Sequence, residues 1–223
     1  MTKALFGKAM IKFLSGVVLL GVLLFLPAGT LRFPNGWLFM VLLFIPMFGA
    51  GIVMMVKSPE LLKKRLSADE KEDEQKTVIL LSGLMFLAAF VLAGLNFRFG
   101  WIVMPDWTVW ASAVVFLLAY LLYAEVLREN VWLSRTVEVQ ENQKVVDTGL
   151  YGIVRHPMYA ATLILFLSMG LVLGSPLSFA VLLLYIPIIA KRIRNEEEVL
   201  VKGLEGYADY RKRVKYKVIP FVW

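Results

Sequence analysis

The stretch YAATLILFLSMGLVLGSPLSFAVLLLYIPIIA, residues 159–190, decides the fold. It holds two apolar runs, 159–173 and 176–190, that meet at Gly174-Ser175-Pro176. Such a junction reads as a turn, because glycine accepts left-handed backbone and proline suits the first turn of the following helix. Each run is near 15 residues, about 23 Å of helix at 1.5 Å per residue. The expectation is a tight helical hairpin. It either crosses a hydrocarbon core of about 30 Å by thinning it, or stops short as a re-entrant element. Gly170, Gly174 and Ser178 follow a small-xxx-small spacing, which lets two backbones approach closely.

Four longer apolar runs precede the hairpin, at about 10–26, 36–56, 78–95 and 107–127. The chain of 223 residues is 59% apolar and 18% charged, whereas a soluble domain is about half apolar. The fold class expected is therefore an all-α, polytopic membrane helix bundle, with five spans plus a hairpin or six spans. The first run is not followed by an A-x-A-like cleavage site, so it is expected to stay as a membrane anchor. No repeats or low-complexity tracts divide the sequence. One domain, 1–223, is expected, with membrane helices in 1–133 and the hairpin and tail in 134–223. The absence of Cys excludes disulfides, thiolate metal sites and a Cys nucleophile, and a single His excludes a multi-histidine metal centre. No metal is expected.

Charge sets the expected orientation. Of the 24 Lys and Arg residues, all but Arg32 and Arg98 fall on one face when the runs are threaded in alternation. By the positive-inside rule that face is cytoplasmic and carries both termini, with Lys3, Lys8 and Lys12 and the segments 57–76, 128–155 and 191–217. This asymmetry also accounts for the net charge of +7, so nucleic acid is not an expected partner and membrane lipids are. Trp37, Trp101, Trp107 and Trp110 gather at the opposite ends of the spans, where indoles anchor at the interface. The highly charged segment 58–75 reads as a solvated or membrane-surface helix.

Ionisable residues converging at a membrane edge are candidates for function. One cluster is Asp147-Thr148-Gly149-Leu150-Tyr151-Gly152-Ile153-Val154-Arg155-His156-Pro157-Met158-Tyr159. Thr148 and Gly149 permit a turn, and Pro157 suits a helix start whose exposed amides can meet an anion. His156 then stands at a helix N-terminus beside Arg155, surroundings that disfavour its protonation. The second cluster, 191–200, places Arg192, Glu196 and Leu200 at intervals of four on one helical face. Because the hairpin is tight, its two arms bring Tyr151, His156 and Tyr159 opposite Arg192 and Glu196 across one pocket.

Taken in order, Val145-Val146, Gly149-x-Tyr151, Arg155-His156-Pro157-x-Tyr159, the hairpin, Arg192-x-x-x-Glu196-Glu197-x-x-Leu200, Tyr207-x-x-Tyr210 and Ile219-Pro220 resemble the membrane-embedded methyltransferases. These are the enzymes related to isoprenylcysteine carboxyl methyltransferase and phospholipid N-methyltransferases. The resemblance runs from about Arg135 to Trp223 and implies an S-adenosylmethionine pocket on the cytoplasmic side, beside access for a lipid-like or small hydrophobic acceptor. It implies cofactor contacts at Gln140, Gln143, Val145, Val146, Tyr151, His156, Pro157, Tyr159 and Glu196, with Arg192 at the substrate end as the catalytic arginine. Gln143 stands where relatives commonly carry His.

A carboxylate acceptor, as in an isoprenylcysteine, is the favoured expectation, because Arg192 can grip it through paired hydrogen bonds and no base is then needed. A phospholipid amine or a thiol must first lose a proton, and His156 or Glu197 is then the candidate base. Sterol reductases, which bind a nicotinamide dinucleotide phosphate, also end in a similar hairpin and basic tail. Those chains usually have more spans, and this one lacks room for a second cofactor half. A non-catalytic lipid-binding membrane protein is the remaining alternative.

Overall fold

The computed structural model describes residues 3–66, 73–134 and 136–223, and every regular element among them is a helix. Four long helices come first: α1 (Lys3–Ala28), α2 (Pro34–Lys57), α4 (Asp73–Phe99) and α5 (Asp106–Glu129), with the short amphipathic α3 (Pro59–Leu66) between α2 and α4. Prolines open α2 and α3 and immediately precede α5, as expected of a residue with a preset φ and no N–H to lose. The hairpin follows as α6 (Pro157–Val172), α7 (Pro176–Leu182) and α8 (Tyr185–Gly203), and the tail adds α9 (Tyr207–Arg213).

Five helical stretches are long and apolar enough to cross a bilayer: Leu5–Ala28, Pro34–Lys57, Gln75–Phe99, Asp106–Glu129 and Pro176–Gly203. The protein is an integral membrane protein. Helix α6 is the short member, with 16 residues or about 24 Å. Its partner arm continues as a helix beyond residue 190, as expected, to Gly203, but differs from a single unbroken run in breaking at Leu183–Leu184. The break has a local cause. Pro187 has no N–H for the Leu183 carbonyl, which accepts instead from Ile186 N at 3.1 Å. The extension beyond residue 190 carries Arg192, Glu196 and Glu197 out of the apolar zone.

Packing within the bundle relies on small residues where helices meet. Ala89 and Ala93 of α4 are fully buried, and a Cβ on Gly94 would lie 2.6 Å from the Leu24 carbonyl of α1. The hairpin is built the same way: a Cβ on Gly170 would lie 2.4 Å from Phe179 N and 2.7 Å from Phe179 Cα. Since these are backbone atoms, no rotamer change relieves the clash. Gly170→Ala is therefore expected to push α6 from α7 and lower stability by about 1–3 kcal/mol. Thermal unfolding of the detergent-solubilised variant measures this, and an unshifted transition refutes it. Most large apolar side chains on α1, α2, α4 and α5 remain exposed, as suits surfaces that meet acyl chains rather than water.

The charged segment 58–75 resolves into different parts. Helix α3 occupies its first half with Leu62 buried, which fits a surface helix. Asp69, Glu70, Lys71 and Glu72 lie outside the described residues, as does Arg135. Gln75 corrects the expectation of a solvated segment: it belongs to α4, is fully buried and donates from Nε2 to the Arg192 carbonyl at 3.4 Å. At the opposite end of the bundle, Trp37, Trp101, Trp107 and Trp110 are all exposed, consistent with interfacial anchoring.

Candidate functional site

The cleft sits at the basic end of the bundle, bounded by the start of α6, the polar half of α8, the loop 130–146 and α9. Its floor begins with local structure around Gly149. This residue adopts φ +55°, and a Cβ there would lie 2.0 Å from Glu129 Oε1, so glycine satisfies both the backbone and the carboxylate. Glu129 in turn accepts from Leu150 N at 2.9 and 3.2 Å, fixing the 3-10 turn Gly149–Gly152 to the end of α5. That turn buries Tyr151, whose hydroxyl accepts from Asn130 Nδ2 at 3.0 Å and whose carbonyl accepts from Tyr210 at 2.8 Å. Burial raises the Tyr151 pKa well above that of free tyrosine, so it remains a neutral phenol.

Beneath the cleft lies a buried ionic knot. Arg155 donates from Nε to Glu197 Oε1 at 2.7 Å and from Nη1 to the Val214 and Lys215 carbonyls at 2.7 and 2.8 Å. The side chains of Arg155 and Glu197 are 5% and 6% exposed, which places a full ion pair out of water. The tail is also stitched on by backbone, with Arg155 N and His156 N donating to the Tyr216 and Lys217 carbonyls at 2.9 and 2.8 Å. His156 Nε2 approaches Glu197 Oε1 at 3.2 Å, and Nδ1 lies 3.9 Å from Glu196 Oε1. The imidazole therefore meets the Glu196 carboxylate expected across the pocket and, more closely, that of Glu197.

The cleft itself opens on a polar chain linking the two arms of the hairpin. Arg192 Nε donates to the Tyr159 hydroxyl at 2.9 Å, and that hydroxyl donates to Glu196 Oε2. Guanidinium, phenol and carboxylate thus form one connected row along α8 and α6. Apolar walls from Leu133, Val137, Met158, Leu200 and Leu204 enclose about 810 Å³ of empty space, open solvent at the mouth included.

The structure brings Gln143, Val145, Val146, Tyr151, His156, Tyr159, Arg192 and Glu196 onto this one wall. Gln140, Pro157 and Glu197 stand behind it. Gln140 donates from Nε2 to the Trp132 carbonyl at 2.6 Å and from its backbone N–H to Gln143 Oε1 at 2.8 Å, so it ties the loop together. Pro157 is the first residue of α6, and Glu197 lies in the ionic knot. Sequence reasoning missed Glu129, Asn130 and Gln75. Only Glu129 and Asn130 carried a signal, as polar groups placed where span α5 ends. No cluster of His, Asp and Glu suited to a metal occurs among the described residues.

The fold and cleft define a class: a polytopic helical membrane protein with a polar cleft built over a C-terminal hairpin. Residues 108–202 match the model of the isoprenylcysteine carboxyl methyltransferase (ICMT) family, and that part of the chain is similar to it. The solved structure of the eukaryotic intramembrane Ras methyltransferase ICMT superposes with a TM-score of 0.58 at 20% identity, covering 92% of this chain and 74% of that one. The two share a fold.

Among curated proteins, Delta(14)-sterol reductase TM7SF2 of Mus musculus is 33% identical over 91 residues, 40% of this chain and 22% of the reductase. The cobalt-zinc-cadmium resistance protein CzcN of Cupriavidus metallidurans is 29% identical over 129 residues, 57% of each chain. The chain spans less than two thirds of the length of either curated relative.

Proposed function

We propose that this protein is a membrane methyltransferase that uses S-adenosylmethionine and acts on a membrane-soluble or small hydrophobic acceptor, with a carboxylate favoured. The observation that carries the reading is the Arg192–Tyr159–Glu196 row, which joins both hairpin arms along the wall of one cleft. The residues present fit such a cofactor. Glu196 offers a carboxylate to a cationic ligand, the apolar walls suit a purine, and Tyr207 holds a buried hydroxyl with no partner among the described residues. Glu196, Tyr151, His156, Tyr159, Gln143 and the segment Val145-Val146 are the proposed contacts, with Gln140 and Pro157 shaping the loop and helix start behind them.

When bound, S-adenosylmethionine supplies a methyl group on a sulfonium centre already activated for displacement. The protein's own task is then alignment and exclusion of water, and alignment alone contributes several kcal/mol. Arg192 grips an acceptor carboxylate and keeps it ionised. For an amine or thiol acceptor, His156 is the residue on the cleft wall able to take a proton, and Glu197, engaged by Arg155, orients the imidazole. The positive-inside rule puts the cleft and both termini in the cytoplasm, with the acceptor arriving from the surrounding lipid.

Calorimetric titration with S-adenosylhomocysteine, followed by labelled-methyl incorporation into lipid extracts, tests this reading. The match to the sterol reductase favours a second one, NADPH binding in the same cleft, and titration with NADPH separates the two. Binding of neither favours a non-catalytic role. Glu196→Ala is expected to weaken S-adenosylhomocysteine binding roughly 10- to 100-fold, since a charge-assisted contact in a half-buried site is lost and the Tyr159 hydroxyl loses its acceptor. Unchanged affinity removes Glu196 from the site.

A further inference from the structure

Four tyrosine hydroxyls near the cleft have protein partners. Tyr151 pairs with Asn130, Tyr159 with Glu196 and Arg192, Tyr185 with Thr162, and Tyr210 with the Tyr151 carbonyl. Tyr207 differs. Its hydroxyl is buried without a hydrogen-bond partner among the described residues; the residue is 4% exposed and lines the cleft. A phenol hidden this way is destabilising, and a phenyl ring would pack against Leu204 and Tyr210 without that cost.

The position of Tyr207 is tightly determined. Gly206 adopts φ +79°, turning the chain sharply after α8, and Tyr207 N donates to the Leu204 carbonyl at 3.2 Å. The ring then packs at a tilt against Tyr210, 5.6 Å between centroids, at the start of α9. Burial first, and then the nearby Glu197 and Glu196 carboxylates, raise the Tyr207 pKa far above its ordinary value, which keeps the group a proton donor.

We infer that Tyr207 is a ligand-binding residue whose hydroxyl donates a hydrogen bond to an oxygen or nitrogen acceptor of the adenosyl cofactor, an assignment that rests on the transferase reading above. The ligand supplies the partner that the fold withholds. Removing the hydroxyl then has opposite consequences for binding and for the ligand-free protein.

The experiment pairs calorimetric titration of S-adenosylhomocysteine with ligand-free thermal unfolding, on wild-type protein, Tyr207→Phe and Tyr210→Phe. For Tyr207→Phe, affinity is expected to fall about tenfold, the equivalent of roughly 1.4 kcal/mol, while the ligand-free melting temperature stays level or rises. Tyr210→Phe is expected to lower the melting temperature, because that hydroxyl holds a protein carbonyl. Unchanged affinity in Tyr207→Phe overturns the assignment alone. So does a loss of affinity accompanied by a lower ligand-free melting temperature, since that marks a structural role. Wild-type protein that does not bind S-adenosylhomocysteine overturns the transferase reading and this assignment with it.

Discussion

Arg155→Ala is expected to destabilise the protein by about 3–5 kcal/mol and to release the tail from the cleft. The residue joins three parts of the chain: the start of α6, Glu197 on α8, and the carbonyls of Val214 and Lys215. Removing the guanidinium leaves Glu197 buried, with His156 at 3.2 Å and Lys217 at 3.8 Å as its remaining partners. Two tail carbonyls lose their donor in the same step. Breaking one side of a buried ion pair costs more than the pair contributes, because the surviving charge stays desolvated. For a chain of this size the loss corresponds to a fall in melting temperature on the order of 10 °C. Thermal unfolding in detergent measures that shift, and limited proteolysis within 214–217 reports release of the tail. The double variant Arg155→Met/Glu197→Leu removes both charges together and is expected to recover more than half of the loss. A single Arg155→Ala variant that melts within 2 °C of wild type, on the scale just given, contradicts the latch.

This latch shows where sequence reading stops. The hairpin was legible because its cause is local: Gly174-Ser175-Pro176 forces a turn, and the flanking apolar runs can only be helices in lipid. The convergence of Tyr159 with Arg192 and Glu196 followed from that turn plus helical spacing, and both contacts are present. The backbone pairing that holds the tail closed was not legible in the same way. Residues 155 and 156 pair with 216 and 217 through backbone N–H and carbonyl groups, which leave no mark in the identity of side chains. The four-residue spacing of Arg192, Glu196 and Leu200 put Glu196 on the cleft face, but it did not say what Glu197 would meet. Successive helical positions diverge by about 100°, so Glu196 lines the wall while Glu197 turns inward to Arg155. Helical spacing carried the exit helix through 191–200, where Ile193 is fully buried, whereas the break at Leu183–Leu184 was hidden inside an unbroken apolar run.

A second arginine carries the other large expectation. Arg192→Lys is expected to lower turnover about 100-fold while leaving S-adenosylhomocysteine affinity within about threefold of wild type. The asymmetry follows from geometry. Arg192 Nε already holds the Tyr159 hydroxyl, and Tyr159 in turn holds Glu196, so the guanidinium orients the row from its acceptor end. A planar fork can keep that contact and still direct parallel N–H groups at a carboxylate, whereas an ammonium is a single compact charge on a flexible stem. Lysine therefore preserves the positive charge but not the simultaneous grip on Tyr159 and acceptor. Loss of orientation falls on the reacting geometry, where a misplacement of 1 Å costs roughly 100-fold. The proposed cofactor contacts at Tyr151 and Val145-Val146 lie on the 3-10 turn and the loop rather than on α8, which keeps the binding constant nearly level. Measured turnover and separately titrated affinity distinguish this from a general collapse of the site. If turnover survives in Arg192→Lys, the arginine serves packing or charge balance, and the acceptor end of the cleft must be sought elsewhere; if both quantities fall together, Arg192 belongs to cofactor binding instead.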